Sequence, residues 1–118
     1  MGKYTMSEKV LKVKAEHIKQ YNLLTVNQTY YEAFKSKFGD KITSWVQYKV
    51  DIGAFMERIN RDIATVSISD IEQYVSEAVG KTRNNKTAHI RSLLQYIIKN
   101  NIEQAKEKVD KDLLIYLI

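Results

Sequence analysis

Five cations, Lys81, Arg83, Lys86, Arg91 and Lys99, fall in the stretch from Lys81 to Asn101, which holds no acidic residue. Their chemistry is attraction to polyanions. From Ile90 onward, Ile90, Leu93, Leu94, Ile97 and Ile98 recur at the spacing of one apolar helix face. One to two turns earlier, Arg83, Lys86 and Thr87 occupy the same angular sector, so the apolar stripe gives way to cations and a hydroxyl. The pattern predicts a helix anchored in a core by its C-terminal half, with its first turns projecting. Such a start, carrying Lys81, Thr82, Arg83, Asn84, Asn85, Lys86 and Thr87, with Arg91 further along, offers free N–H groups, cations and amides to phosphates or a nucleic-acid groove.

Other chemistry is poorly served. His17 and His89 are the only histidines and lie far apart without Cys or carboxylate spacing, so no metal site is expected. There is no Gly-rich phosphate loop, no Gly-x-Ser-x-Gly and no isolated acid pair in an apolar context, so neither cofactor nor small-molecule substrate is expected. Of the eight Tyr, Tyr48 and Tyr74 fall on apolar stripes and read as packing residues. Tyr96 lies off its helix's apolar face and is the better candidate for an exposed role.

The elements that must position these residues are helical. At 118 residues the chain is long enough to bury a core, and with no Pro and four Gly an all-α bundle of five or six short helices is favoured over a turn-rich β fold. The absence of Cys suits a reducing cytosol, and no apolar run approaches the length of a membrane span or a signal peptide, so a cytoplasmic protein without a membrane role is expected. Net charge is +5 but unevenly spread: residues 43–80 are acidic on balance, while residues 1–42 and 81–101 are basic.

Ser7 is placed to cap a first helix reaching Leu24, with Val10, Ile18, Tyr21 and Leu24 as an irregular stripe; its apolar face is broken by Lys14 and His17. Thr25 and Gln28 resemble a capping box opening a second helix, whose aromatic face is Tyr30, Tyr31, Phe34 and Phe38 and which stops at Gly39 and Asp40. Trp45, Tyr48, Ile52, Phe55, Met56 and Ile59 hold a stripe over four turns behind an N-cap at Thr43 or Ser44. This helix reads as the centre of the core, where Trp45→Ala is expected to cost roughly 3–5 kcal/mol. A loop from Asn60 to Val66 leads to Ser67, a cap for a short helix with Asp70 in its first turn and Ile71, Tyr74, Val75, Ala78 and Val79 inward. Gly80 reads as its stop and Thr82 as the cap of the basic helix, which Asn100 and Asn101 end. A last segment carries Ala105, Val109 and Leu113 on one side. Its apolar end suggests a cut from a larger protein, or docking onto a partner, another copy of the chain or its own core.

The run from Ile42 to Gln104 resembles the N-terminal core-binding, SAM-like domain of phage integrases and other tyrosine recombinases. Three features carry the likeness: a helix with Tyr48 and Phe55 inward, the phrase Ser67-Ile68-Ser69-Asp70-Ile71-Glu72-Gln73-Tyr74, and the passage of Thr82 to Tyr96 from a polar start into Ile90-Arg91-Ser92-Leu93-Leu94-Gln95-Tyr96. The aromatic segment Tyr30 to Phe38 fits the family's lead-in. The resemblance divides the chain into a helical extension over 1–41, a core-binding-like domain over 42–104, and a C-terminal segment over 105–118 that would begin a linker to a catalytic domain.

It implies a helical clamp on double-stranded DNA, used in integration and recombination in a bacterial or phage-infected cell. Two helix starts would meet the duplex: Thr43, Ser44, Gln47 and Lys49, and the group from Thr82 to Thr87 with Arg91. Lys49 lies in line with the Trp45 stripe. The family's chemistry needs a Tyr nucleophile with Arg, Lys and His groups on a separate catalytic domain. His89-Ile90-Arg91 lacks the family's His-x-x-Arg spacing, Tyr116 has no such set around it, and Asn100-Asn101-Ile102 stands where the family commonly has Asn-Pro. No catalysis is therefore expected in this chain. The alternatives are an inactive integrase-like regulator, such as a repressor, and a helical protein-interaction module whose basic surface meets an acidic partner.

Overall fold

A computed structural model describes residues 21–117. Among them are six α-helices and no strand: α1 (Thr25–Phe38), α2 (Trp45–Ile59), α3 (Ile68–Val75), α4 (Gly80–Lys99), α5 (Ala105–Lys108) and α6 (Lys111–Leu117), with 3-10 turns at Ile63–Thr65 and Ile102–Gln104. The helix expected from Ser7 lies outside the described residues except for 21–24, which are not helical.

The hub is α4, not the Trp45 helix. Every other described helix and both 3-10 turns pack on it, because its apolar face Ile90, Leu93, Leu94, Ile97 and Ile98 is buried throughout, as its periodicity predicts. Against it α1 brings Tyr30, Tyr31 and Phe34, and α2 brings Ile52, Phe55 and Met56. Trp45 sits at the margin, half-buried beside Tyr31, Phe34 and Tyr48. The core draws on residues from Tyr30 to Leu117.

The segment from Asn60 to Val66, expected as a loop, is core. Ile63, Ala64 and Val66 are fully buried, and their polar backbone is met from α1. Buried Asn27 donates from Nδ2 to the Arg61 carbonyl at 2.9 Å and accepts from the Ile63 amide at 3.1 Å. Tyr30 donates to Asp62 Oδ1 at 2.9 Å, and Asp62 also takes the Ala64 amide and, from α5, the Lys108 ammonium at 2.9 Å. Burial alone would raise the Asp62 carboxyl; Lys108, the Ala64 amide and Tyr30 outweigh it, and the group is held below its ordinary range.

Ser67 caps α3 as expected. Its Oγ accepts the Asp70 amide at 3.1 Å while Asp70 accepts the Ser67 amide at 2.9 Å, a complete capping box, with Arg61 ion-paired to Asp70. The Thr25–Gln28 box does not form: Leu24 occupies the N-cap, and the Gln28 amide turns to Glu32 at 2.8 Å. Ser44 holds the N-cap of α2 through its carbonyl, without a side-chain bond. Gly80 does not follow the stop of a helix but opens α4, at φ +58°, so Thr82 lies inside the helix and not at its cap. Val79, expected inward, is 83% exposed at that junction. Asn101 is left-handed as expected and Asn100 is not; Glu103 and Gln104 follow with positive φ, which turns the chain sharply into α5. The apolar tail docks on this domain's own core: Leu113 is fully buried, Leu117 nearly so, and α6 packs on α3 and α4.

Candidate nucleic-acid interface

The first turns of α4 stand clear of the core. Lys81, Thr82, Arg83, Asn84 and Asn85 are all exposed, and the first buried side chain of the helix is His89. No residue from Lys81 to Asn101 is acidic. Lys81, Arg83 and Lys99 have no ion pair among the described residues. From these turns a shallow, open surface continues along α4 over Asn84, Thr87, Ala88, Arg91, Ser92 and Gln95, one face of the helix over three turns.

Lys86 differs from its neighbours. It was expected outside the core, yet its side chain is only 23% exposed and its ammonium lies 3.6 Å from Asp51 Oδ1 and 5.5 Å from the centre of the Tyr74 ring. Asp51, on α2, is 1% exposed. A carboxylate removed from water this far requires charged or hydrogen-bonding partners, and it has three: His89 Nδ1 at 2.5 Å, Gln47 Nε2 at 3.2 Å and Lys86. The His89 ring is itself stacked on Tyr48 at 3.8 Å between centroids. An Asp–His pair orients a general base in many enzymes, but His89 is 8% exposed and no hydroxyl is hydrogen-bonded to it among the described residues. What this cluster does is lock the projecting helix to α2. The signal for it was present: Asp51 follows Tyr48 by three and precedes Phe55 by four, which puts a carboxylate on an inward helix face.

The other expected contacts are placed as follows. Thr87 donates from its hydroxyl to the Arg83 carbonyl at 2.9 Å, and the Arg91 guanidinium lies 4.9 Å over the Tyr116 ring, tying α4 to α6. Thr43, Ser44 and Gln47 are exposed. Lys49 is buried, 7% exposed, in the wall formed with Tyr21, Tyr31 and Gly53, so the side chain offered to phosphate by the resemblance is turned into the α1–α2 packing. The two helix starts do not meet. Contacts pair Asp51 with Lys86 and His89, and Tyr48 with His89 and the Ser92–Tyr96 surface, so α2 and α4 run antiparallel. Thr43 and Ser44 therefore flank the far end of the α4 surface, and Lys81 to Asn85 its near end. Tyr96, expected to be exposed, is half-buried, edge-on to Phe34 at 5.7 Å and Phe38 at 5.3 Å.

Among the described residues no group of three or more His, Cys, Asp or Glu side chains is placed to hold a metal ion, and no helix is long and apolar enough to cross a membrane. Comparison of the chain with protein-family models, curated proteins and solved structures gave no match.

Proposed function

We propose that this chain is a non-catalytic domain that binds double-stranded DNA along α4. The observation that carries the reading is the acid-free, exposed start of that helix, continued by the open helix face from Asn84 to Gln95. Lys81 and Arg83 supply unneutralised charge for phosphates, while Asn84, Thr87, Arg91 and Gln95 supply hydrogen-bonding groups for base edges or sugars. From Lys81 to Lys99 the helix covers about 27 Å at 1.5 Å per residue, the length of roughly eight base pairs of duplex. Thr43 and Ser44, at the far end of this surface, reach the same duplex beyond that span. In its finer form the reading is a core-binding, SAM-like domain like that of tyrosine recombinases, working beside a catalytic domain or as a regulator, in the cytoplasm. The helix order, the Ser67–Asp70 capping box and the inward Phe55 support that form.

Fluorescence anisotropy of a labelled, fully paired duplex across a salt series tests it. The expected log–log slope is about −0.9 per phosphate neutralised, and Lys81→Ala with Arg83→Ala should flatten it by roughly two units. Binding that is insensitive to salt, or an unchanged slope in the double variant, removes α4 from the interface. Absence of binding at low salt points instead to a helical module for an acidic protein.

A further inference from the structure

A groove adjoins this open face of α4 and shares Ser92 and Gln95 with it. Its floor and walls are aromatic: Phe34 at the base, with half-buried Phe38, Tyr48 and Tyr96 around it. Exposed Lys37 of α1 and Lys99 of α4 stand on its rim, and among the described residues no carboxylate lines it. Two amides also line it, and each has its nitrogen engaged. Gln95 Nε2 donates to the Leu117 carbonyl at 2.7 Å, and Asn100 Nδ2 donates to the Tyr96 carbonyl at 2.9 Å. Each amide keeps one N–H and its carbonyl oxygen, so the groove offers a ligand both a donor and an acceptor.

We propose that this groove is a nucleotide site, taking a flat heteroaromatic ring with its phosphate between Lys37 and Lys99. Each part of the lining narrows the class. The aromatic surface favours a flat ring by stacking. Two lysines with no carboxylate beside them favour an anion attached to that ring. With a donor and an acceptor on each, Gln95 and Asn100 can meet either the amino or the carbonyl edge of a base, so ring size and stacking set the preference. Such a nucleotide has two sources, an unpaired residue of a nucleic-acid strand or a free mononucleotide; the first rests on the DNA reading of α4, with which the groove is continuous, and the second does not.

Trp45 provides the probe. It is the only Trp of the chain, stacked on Tyr48 at 6.3 Å and 5.8 Å from Phe34, both groove residues. The full chain is titrated with adenosine monophosphate, uridine monophosphate and inorganic phosphate while Trp45 emission is followed. A saturable change is expected with the adenine nucleotide, weaker affinity for the uracil nucleotide, whose smaller ring stacks less, and no change with phosphate. Lys37→Gln with Lys99→Gln should weaken the adenine nucleotide at least fivefold with the melting temperature lowered by only a few degrees, each lysine being exposed but in the last turn of its helix; should that pair fail to fold, Lys99→Gln carries the same expectation at about threefold. A duplex with one unpaired adenine, compared with the fully paired duplex by anisotropy, separates the sources. Tighter binding of the former assigns the site to nucleic acid, and equal binding with a positive nucleotide titration assigns it to free nucleotide. No emission change together with equal duplex binding overturns the site, as does an identical response to phosphate alone. Salt-dependent binding of the paired duplex would then leave the DNA reading of α4 standing, and nucleotide binding without duplex binding would remove that reading while keeping the groove.

Discussion

A carboxylate that is 1% exposed decides which cations of the basic helix are free. Asp51 draws His89 and Lys86 inward, so Lys86 faces Tyr74 and α2 while Arg83, three residues earlier, remains in water. The two residues look alike in the sequence and behave differently in the fold. Lys86→Ala should lower stability by about 1–2 kcal/mol, because Asp51 keeps only His89 and Gln47. Arg83→Ala should change stability by no more than about 0.5 kcal/mol. Urea denaturation of the two variants checks this, and equal losses would show that the Lys86–Asp51 pair contributes nothing. The same attention to burial revises the expectation for Trp45: Phe55, fully buried, is the residue whose truncation should cost about 3–5 kcal/mol, and Trp45→Ala, at the margin, less.

At the scale of elements, Gly80 carries the sharpest local demand. Only four residues separate α3 from α4, so one residue must both end the turn after α3 and begin α4, and it does so at φ +58°. A Cβ there would meet nothing within 4 Å, so the cost of Gly80→Ala is backbone strain alone, about 1–2 kcal/mol. A thermal melt showing no loss would mean that the junction relaxes to negative φ and re-aims the first turn of α4. The long helices were legible because a 3.6-residue apolar period is a local property: Ile90 to Ile98 in α4, and Ile52, Phe55 and Met56 in α2, are buried as their spacing predicts. The Asn60–Val66 segment was not, because it is held by Asn27, Tyr30 and Lys108, which lie more than 30 residues away in sequence and leave no periodic trace. The exposed cations at the start of α4 and the inward position of Asp51 between Tyr48 and Phe55 were legible as local spacing, while the pairing of Asp51 with Lys86 and His89, the antiparallel arrangement that parts Thr43 from Arg83, and the aromatic groove under Tyr96 all required α1, α2 and α4 to be brought together.

For the molecule as a whole, stability depends on pH at two separate edges. At the acid edge, Asp62 and Asp70 are held below the ordinary carboxylate value of 3.8, Asp70 chiefly by the Ser67 amide and Asp62 by partners that outweigh its burial. A group whose folded value is depressed contributes stability above its unfolded value and loses it as pH falls through the folded one. At the alkaline edge, burial pushes the phenols of Tyr31 and Tyr74 up from 10.0 to about 12, and burial and Asp62 raise Tyr30 further. Their contribution has the opposite sign: it is fully present below pH 10 and is lost as pH rises toward 12, because the unfolded chain ionises where the folded one does not. The urea midpoint should therefore be level between these edges as far as these groups are concerned, fall below about pH 4 and fall again above about pH 10. Tyr31→Phe with Tyr74→Phe deletes two of these phenols while keeping both rings in place. The double variant should lose most of the alkaline fall and none of the acid one, and an alkaline limb as steep as that of the parent chain would show that these phenols do not set it.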